Sequence, residues 1–158
     1  MKLVNSSACF NVKYFPGDYV VGGTVAHEFQ YPWHVGIMGH NRTKRHCGGS
    51  LITKQHVLSA AHCMFHPLEN YPFEAEELRV ILGAEADNGL PRFSSIKIMN
   101  ISKIDIHPNF SNVLDYDFAI LTFTKSLIYF TKRMKPVCLP SAKVDKGKIC
   151  NVHEFLGL

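Results

Sequence analysis

Val57-Leu58-Ser59-Ala60-Ala61-His62-Cys63 brings a histidine and a cysteine together at the end of an apolar run. A histidine in such a place is suited to controlled proton transfer, since imidazole, with an ordinary pKa of about 6.5, takes and returns a proton near neutral pH. Cys47 lies 16 positions before Cys63, in His46-Cys47-Gly48-Gly49-Ser50-Leu51-Ile52. A disulfide closing a loop of that length stabilises a fold by roughly 3 kcal/mol in the chain-entropy picture. If Cys47 and Cys63 are bonded, His62 is anchored one residue from a covalent staple. The same cluster, His62-Cys63-x-x-His66 with Cys47, superficially offers nitrogen and sulfur ligands for zinc. There is no Cys-x-x-Cys pair, however, and Cys63 already has a disulfide candidate, so no metal is expected.

A second group with chemical potential is Asp117, in Asp115-Tyr116-Asp117-Phe118-Ala119-Ile120-Leu121-Thr122-Phe123. It stands at the mouth of an apolar strand, where a carboxylate needs hydrogen-bond donors to offset its desolvation. A histidine N–H is a suitable donor. The alternative is a surface Asp-x-Asp turn in which Asp117 merely starts the strand; Asp115 reads as part of an exposed turn in either case.

The elements that must position these groups read as strands. Tyr31-Pro32-Trp33-His34-Val35-Gly36-Ile37 alternates apolar and polar from Trp33, with Pro32 at the start, where a strand tolerates it. Leu78-Arg79-Val80-Ile81-Leu82-Gly83 reads as a strand ending in a glycine turn. Ile96-Lys97-Ile98 and Ile101-Ser102-Lys103-Ile104-Asp105-Ile106 read as two further β-branched runs, the latter closed by His107-Pro108-Asn109-Phe110. Short strands separated by turn signals, with no useful helix-period stretch, predict an all-β barrel or sandwich. Residues 64–77 contain two prolines and read as a loop beside His62. His34, His40 and His46 read as ordinary exposed histidines.

The chain has 158 residues, 46% of them apolar and 19% charged, which suits one globular domain with a sizeable core. Lys and Arg exceed Asp and Glu by 4, spread over Arg42/Lys44/Arg45, Lys132/Arg133/Lys135 and Lys143/Lys146/Lys148. These clusters read as solvated loop faces. Without aromatic interleaving they do not point to nucleic acid. Asn-x-Ser/Thr sequons at Asn5, Asn41, Asn100 and Asn109 are usable only in a secretory route. The chain has no apolar run long enough to span a membrane. Met1-Lys2-Leu3-Val4-Asn5-Ser6-Ser7 turns polar before an apolar h-region forms and does not read as a signal peptide.

Cys47-Gly48-Gly49-Ser50-Leu51-Ile52, followed by Leu58-Ser59-Ala60-Ala61-His62-Cys63, resembles the trypsin/chymotrypsin family of serine proteases in residue type, order and spacing. Tyr31-Pro32-Trp33 and Val20-Val21-Gly22-Gly23-Thr24 match the same family. The resemblance implies an antiparallel β-barrel, the first of two. It implies His62 as general base and Asp117 as the acid that sets its tautomer and stabilises its protonated form. It implies no cofactor, protein or peptide substrates and an extracellular setting. Val20 would be the N-terminus freed by activation. The preceding residue is Tyr19 rather than Arg or Lys, so the activating cut departs from a trypsin-like one; the local alternative is a simple Gly-Gly turn into a strand. Residues 1–19 then resemble a propeptide, and the family precedent for propeptides that stay attached implies a Cys9–Cys138 disulfide.

The resemblance runs over residues 20–152. His153-Glu154-Phe155-Leu156-Gly157-Leu158 fits neither the family pattern nor a strand pairing and reads as an aberrant tail. No Gly-Asp-Ser-Gly-Gly nucleophile segment is present; Gly48-Gly49-Ser50 occupies the strand before the histidine and is no substitute. The second barrel, with the oxyanion hole and the specificity pocket, is expected to be missing, which leaves Cys150 as an odd fifth cysteine. Losing the nucleophile alone costs on the order of a million-fold in a serine protease. The chain as written therefore reads as an inactive fragment of a secreted endopeptidase. The rival reading is a non-catalytic protease-like binding or decoy module that uses residues 40–46 and 64–77. In either case the bare inter-barrel face would invite association.

Overall fold

The structure is a computed structural model that describes residues 30–39, 45–66, 71–84, 86–87, 90–91, 96–111 and 115–140. Its strands are β1 (His34–Gly39), β2 (Arg45–Leu51), β3 (His56–Ser59), β4 (Leu78–Leu82), β5 (Ala86–Asp87), β6 (Leu90–Pro91), β7 (Lys97–Ile106) and β8 (Ala119–Phe123). Six of them close an antiparallel barrel in the order β1-β2-β3-β8-β7-β4, while β5 and β6 form a small ribbon of their own. Closure decides between the barrel and sandwich alternatives, and no sheet edge is left open around the ring.

The barrel follows from the period-2 pattern of its strands. In β4, Leu78, Val80 and Leu82 point inward and Arg79 and Ile81 are half-buried. In β8, Ala119, Leu121 and Phe123 point inward. Val35, Ile37, Leu51 and Val57 meet them from β1, β2 and β3, each essentially inaccessible to solvent. Alternation of this kind puts every second side chain on one face, so closing the sheet gathers the apolar set inside.

Residues 96–106 depart from expectation. The two β-branched runs are parts of one strand, β7, whose register against β8 shifts between Ile101 and Lys103. Ser102 and Lys103 are both exposed at the shift, after which Ile104 and Ile106 turn toward the core again. The bulge inserts one residue into the alternation within the second run, and the two runs are joined by Met99 and Asn100, which pair with Val80 and Arg79 of β4. The Ser102 hydroxyl lies within hydrogen-bond reach of the Thr122 and Phe123 carbonyls, at 3.2 and 3.3 Å. His34 also departs from expectation, being half-buried on β1. His40 lies outside the described residues, as does the His46 side chain.

Gly49 is required by a close approach. A Cβ there would sit 2.8 Å from Val57 Cγ1 and 2.9 Å from the Leu58 carbonyl oxygen. Gly83, at φ 69°, makes the turn that ends β4. Between β2 and β3, the Thr53 hydroxyl accepts the backbone N–H groups of Gln55 and His56, both at 3.0 Å. The segment after β8 returns to the barrel through Lys135 N–H to the Pro32 carbonyl and Val137 N–H to the Leu51 carbonyl, both 2.9 Å.

Residues 1–19, Val20, Cys9, Cys150 and the 153–158 tail lie outside the described residues. Among the described residues no helix is long and apolar enough to cross a membrane.

Candidate active site

His62 and Asp117, 55 residues apart in sequence, meet because β3 and β8 pair. Ser59 is opposite Ala119 in that ladder, so residues just after β3 lie beside residues just before β8. Past Ser59 the chain makes a one-turn 3-10 segment, His62–Met64, in which the Met64 N–H reaches the Ala61 carbonyl at 2.9 Å. Ala61, Cys63 and Met64 are buried there and His62 points outward. Cys63 is bonded to Cys47 of β2, with 6.0 Å between their Cα atoms. The turn that carries His62 is thus fixed by the β3 strand on one side and by a covalent tie to β2 on the other.

Asp117 grips His62 twice. Its Oδ1 accepts the His62 backbone N–H at 2.8 Å, and its Oδ2 lies 2.7 Å from the ring Nδ1. An ionised carboxylate can only accept, so Nδ1 carries the proton in this pair and the neutral ring keeps its lone pair on Nε2. Partial burial pushes the Asp117 carboxyl up, but the His62 backbone N–H, the His62 ring and the Ala61 backbone N–H together hold it below the ordinary carboxylate value. The His62 side chain is 54% exposed and that of Asp117 21%, so the carboxylate is sheltered behind a ring whose outer edge faces solvent. Nε2 is 3.5 Å from Cys63 Sγ.

The backbone around Asp117 is unusual. Tyr116 has φ 54°, the left-handed region, and among the described residues it is the one non-glycine residue there. A bulky side chain in that conformation costs on the order of 1–3 kcal/mol. The Phe118 N–H bonds back to the Tyr116 carbonyl at 2.8 Å, closing a three-residue turn centred on Asp117. Asp115 is exposed in the adjoining turn. Nothing in the sequence pattern marks Tyr116, since a tyrosine in a left-handed turn carries no periodicity or composition signal.

The remaining candidates are held elsewhere. Ser50 lies within β2, opposite His34 on one side and Leu58 on the other. Ser59 donates its hydroxyl to the Gly48 carbonyl at 2.8 Å. His66 packs against the tilted rings of Tyr71 and Phe73, with ring centroids at 4.1 and 3.8 Å, and its Nε2 lies 3.4 Å from Glu77 Oε2. The Glu74 backbone N–H, bonded to that carboxylate at 2.8 Å, is the main cause that holds the Glu77 carboxyl below its ordinary value; desolvation opposes it in part, and His66 adds to the lowering. Residues 71–77 are thereby folded back on the turn bearing His62, with a Phe65–Pro72 bridge between them.

Cys47, His62 and Cys63 gather their nitrogen and sulfur atoms within 4.8 Å. Both sulfurs belong to the disulfide, however, and have no thiolate to offer a metal. Cys138 is half-buried and has no disulfide partner among the described residues; Cys9, expected to be bonded to it, lies outside them.

A family model described as Trypsin matches residues 20–153. The match takes in every described residue and both members of the His62–Asp117 pair.

Proposed function

The chain belongs to the trypsin family, and on that premise we propose that it carries the base-and-acid half of a serine endopeptidase site. His62 is the general base, accepting a hydroxyl proton on Nε2 and returning it to the leaving amine. Asp117 holds the ring in the Nδ1–H tautomer and stabilises the imidazolium while the proton is on Nε2. The observation that carries this reading is the double grip of Asp117 on His62, at 2.8 Å to the backbone and 2.7 Å to the ring. A lone surface ion pair needs no backbone contact. A carboxylate that binds the same residue through both amide and ring is orienting it.

These 158 residues contain no Gly-Asp-Ser-Gly-Gly segment, so turnover needs a nucleophile and oxyanion donors supplied from outside them. Substrates are proteins or peptides, cleaved through an acyl-enzyme in the completed site. The setting is secretory and oxidising, supported by the Cys47–Cys63 bridge. Residues 1–19 are a propeptide, retained after cleavage before Val20 by a Cys9–Cys138 bond. Non-reducing peptide mapping should recover that pair, and its absence from secreted material removes the retained-propeptide part of the reading.

The deciding experiment has two arms. The purified 158-residue chain, assayed with peptide nitroanilides and a fluorophosphonate probe, should show neither turnover nor labelling. The message from the source tissue should continue in frame to a nucleophile segment, and the protein it encodes should turn over substrate and lose this on His62→Ala. Abundant message that stops after Leu158, with a stable secreted product, would overturn the endopeptidase reading in favour of a protease-like binding module.

A further inference from the structure

His107 follows the last residue of β7 and touches both neighbours of Asp117. Its ring stacks on Tyr116 with centroids 4.8 Å apart and planes 6° from parallel. Against Phe118 the separation is 4.5 Å at 51°. Its backbone N–H donates to the Phe118 carbonyl at 3.1 Å. Its Nδ1 accepts the Asn109 backbone N–H at 3.2 Å, which fixes the ring's rotation. Ile106 pairs with Ala119 in the β7–β8 ladder, so His107 flanks the start of β8 on the side away from the β3 ladder that brings Asp117 to His62. Both aromatic neighbours are substantially exposed, Tyr116 at 55% and Phe118 at 43%. Burial in the core therefore does not hold them. The imidazole does.

We propose that His107 is a positioning residue for the His62–Asp117 pair: its ring holds Tyr116 in the left-handed backbone conformation that aims the Asp117 carboxylate at His62. Tyrosine rarely adopts that conformation, which is costly for a bulky side chain. Relaxing Tyr116 to an ordinary φ re-aims the next peptide unit, and with it the Asp117 side chain. Parallel stacking between flat rings opposes this relaxation, since rotation about φ swings the Tyr116 ring off the imidazole. The Phe118 contact and the His107–Phe118 backbone bond secure the other shoulder of the turn. The proposal rests on His62 and Asp117 being base and acid, but its readout is the bond between them. A chain that never turns over substrate still decides it.

The test uses the oxidised 158-residue chain and two reporters of the pair. One is hydrogen exchange at the His62 amide, which Asp117 Oδ1 protects. The other is the far-downfield proton resonance of His62 Nδ1. His107→Asn keeps an acceptor for the Asn109 N–H and deletes the ring; His107→Phe keeps a flat ring and deletes the acceptor. H107N should speed His62 amide exchange about tenfold, with the β3–β8 ladder amides unchanged, and lose the downfield resonance. H107F should stay close to the parent. Adding Tyr116→Gly to H107N should restore both signals, because glycine enters the left-handed region without a ring to brace it. The proposal is overturned if H107N leaves His62 exchange unchanged, if H107F is as damaging as H107N, or if Y116G brings no rescue. Equal loss of protection in the β3–β8 ladder would also overturn it, by making His107 a general stabiliser of the fold.

Discussion

Replacing Cys47 and Cys63 together by alanine removes the covalent tie beside His62, and its cost follows from the loop it closes. The bonded residues are 16 apart in sequence, and the chain-entropy relation gives about 3 kcal/mol for a loop of that size at 25 °C. For a chain of this length each kcal/mol moves the unfolding midpoint by about 2–4 °C, so the double variant should melt about 6–12 °C lower. Alanine is the better replacement because Cys63 is only 6% exposed and a serine hydroxyl there would add its own desolvation cost. The assay is thermal unfolding followed by far-UV circular dichroism, comparing the oxidised parent, the parent under reductant and C47A/C63A. Reductant opens any other bridge as well, so the variant isolates this one. A midpoint drop below about 2 °C would refute the reasoning: the β2–β3 pairing would then hold the His62 turn without help from sulfur.

Asp117→Asn should make stability less dependent on acid. The folded carboxyl lies below its ordinary value, so its contribution is fully present above the unfolded pKa of about 3.9 and is lost as pH falls through the lowered folded value. The difference in midpoint between parent and D117N should be largest near neutral pH and shrink below about pH 4; a difference constant with pH would rule this out. Gly49→Ala places its Cβ 2.8 Å from Val57 Cγ1 and 3.3 Å from Val35 Cγ2, so urea melts should show a loss of roughly 1–3 kcal/mol. Gly48→Ala meets its nearest atom, His34 Nε2, at 3.4 Å and should cost less than G49A; a reversed order would show that β2 sits differently against β3. Ser59→Ala removes a buried donor from the Gly48 carbonyl and should cost about 1 kcal/mol in the same assay, with an unchanged midpoint counting against that bond.

How far the sequence reads depends on whether a feature is local or long-range. The strands of the barrel are visible in the chain because period-2 alternation is a property of neighbouring residues, as in Leu78-Arg79-Val80-Ile81-Leu82. His62 and Cys63 stand out because composition changes abruptly after Ala61. Their family resemblance adds the roles. The single strand β7 was illegible because Met99-Asn100 interrupts its β-branched residues, while the pairing of Met99 with Val80 and of Asn100 with Arg79 carries the strand through, and pairing is a fact about two strands. The half-buried position of His34 was illegible for a like reason, since its burial depends on what packs against β1.

An all-β chain, a histidine at the end of an apolar run and an aspartate at the mouth of an apolar strand are legible in the residues alone, because each is written in positions close together. The family resemblance implied a barrel and a His62–Asp117 pair; the tertiary structure closes the sheet and adds that Asp117 takes hold of the His62 amide as well as its ring. The antiparallel register of β3 on β8 brings together residues 55 positions apart. It alone also revealed Tyr116 in a left-handed turn under the His107 ring. A backbone angle is set by everything that packs around it, and no residue type announces it in advance.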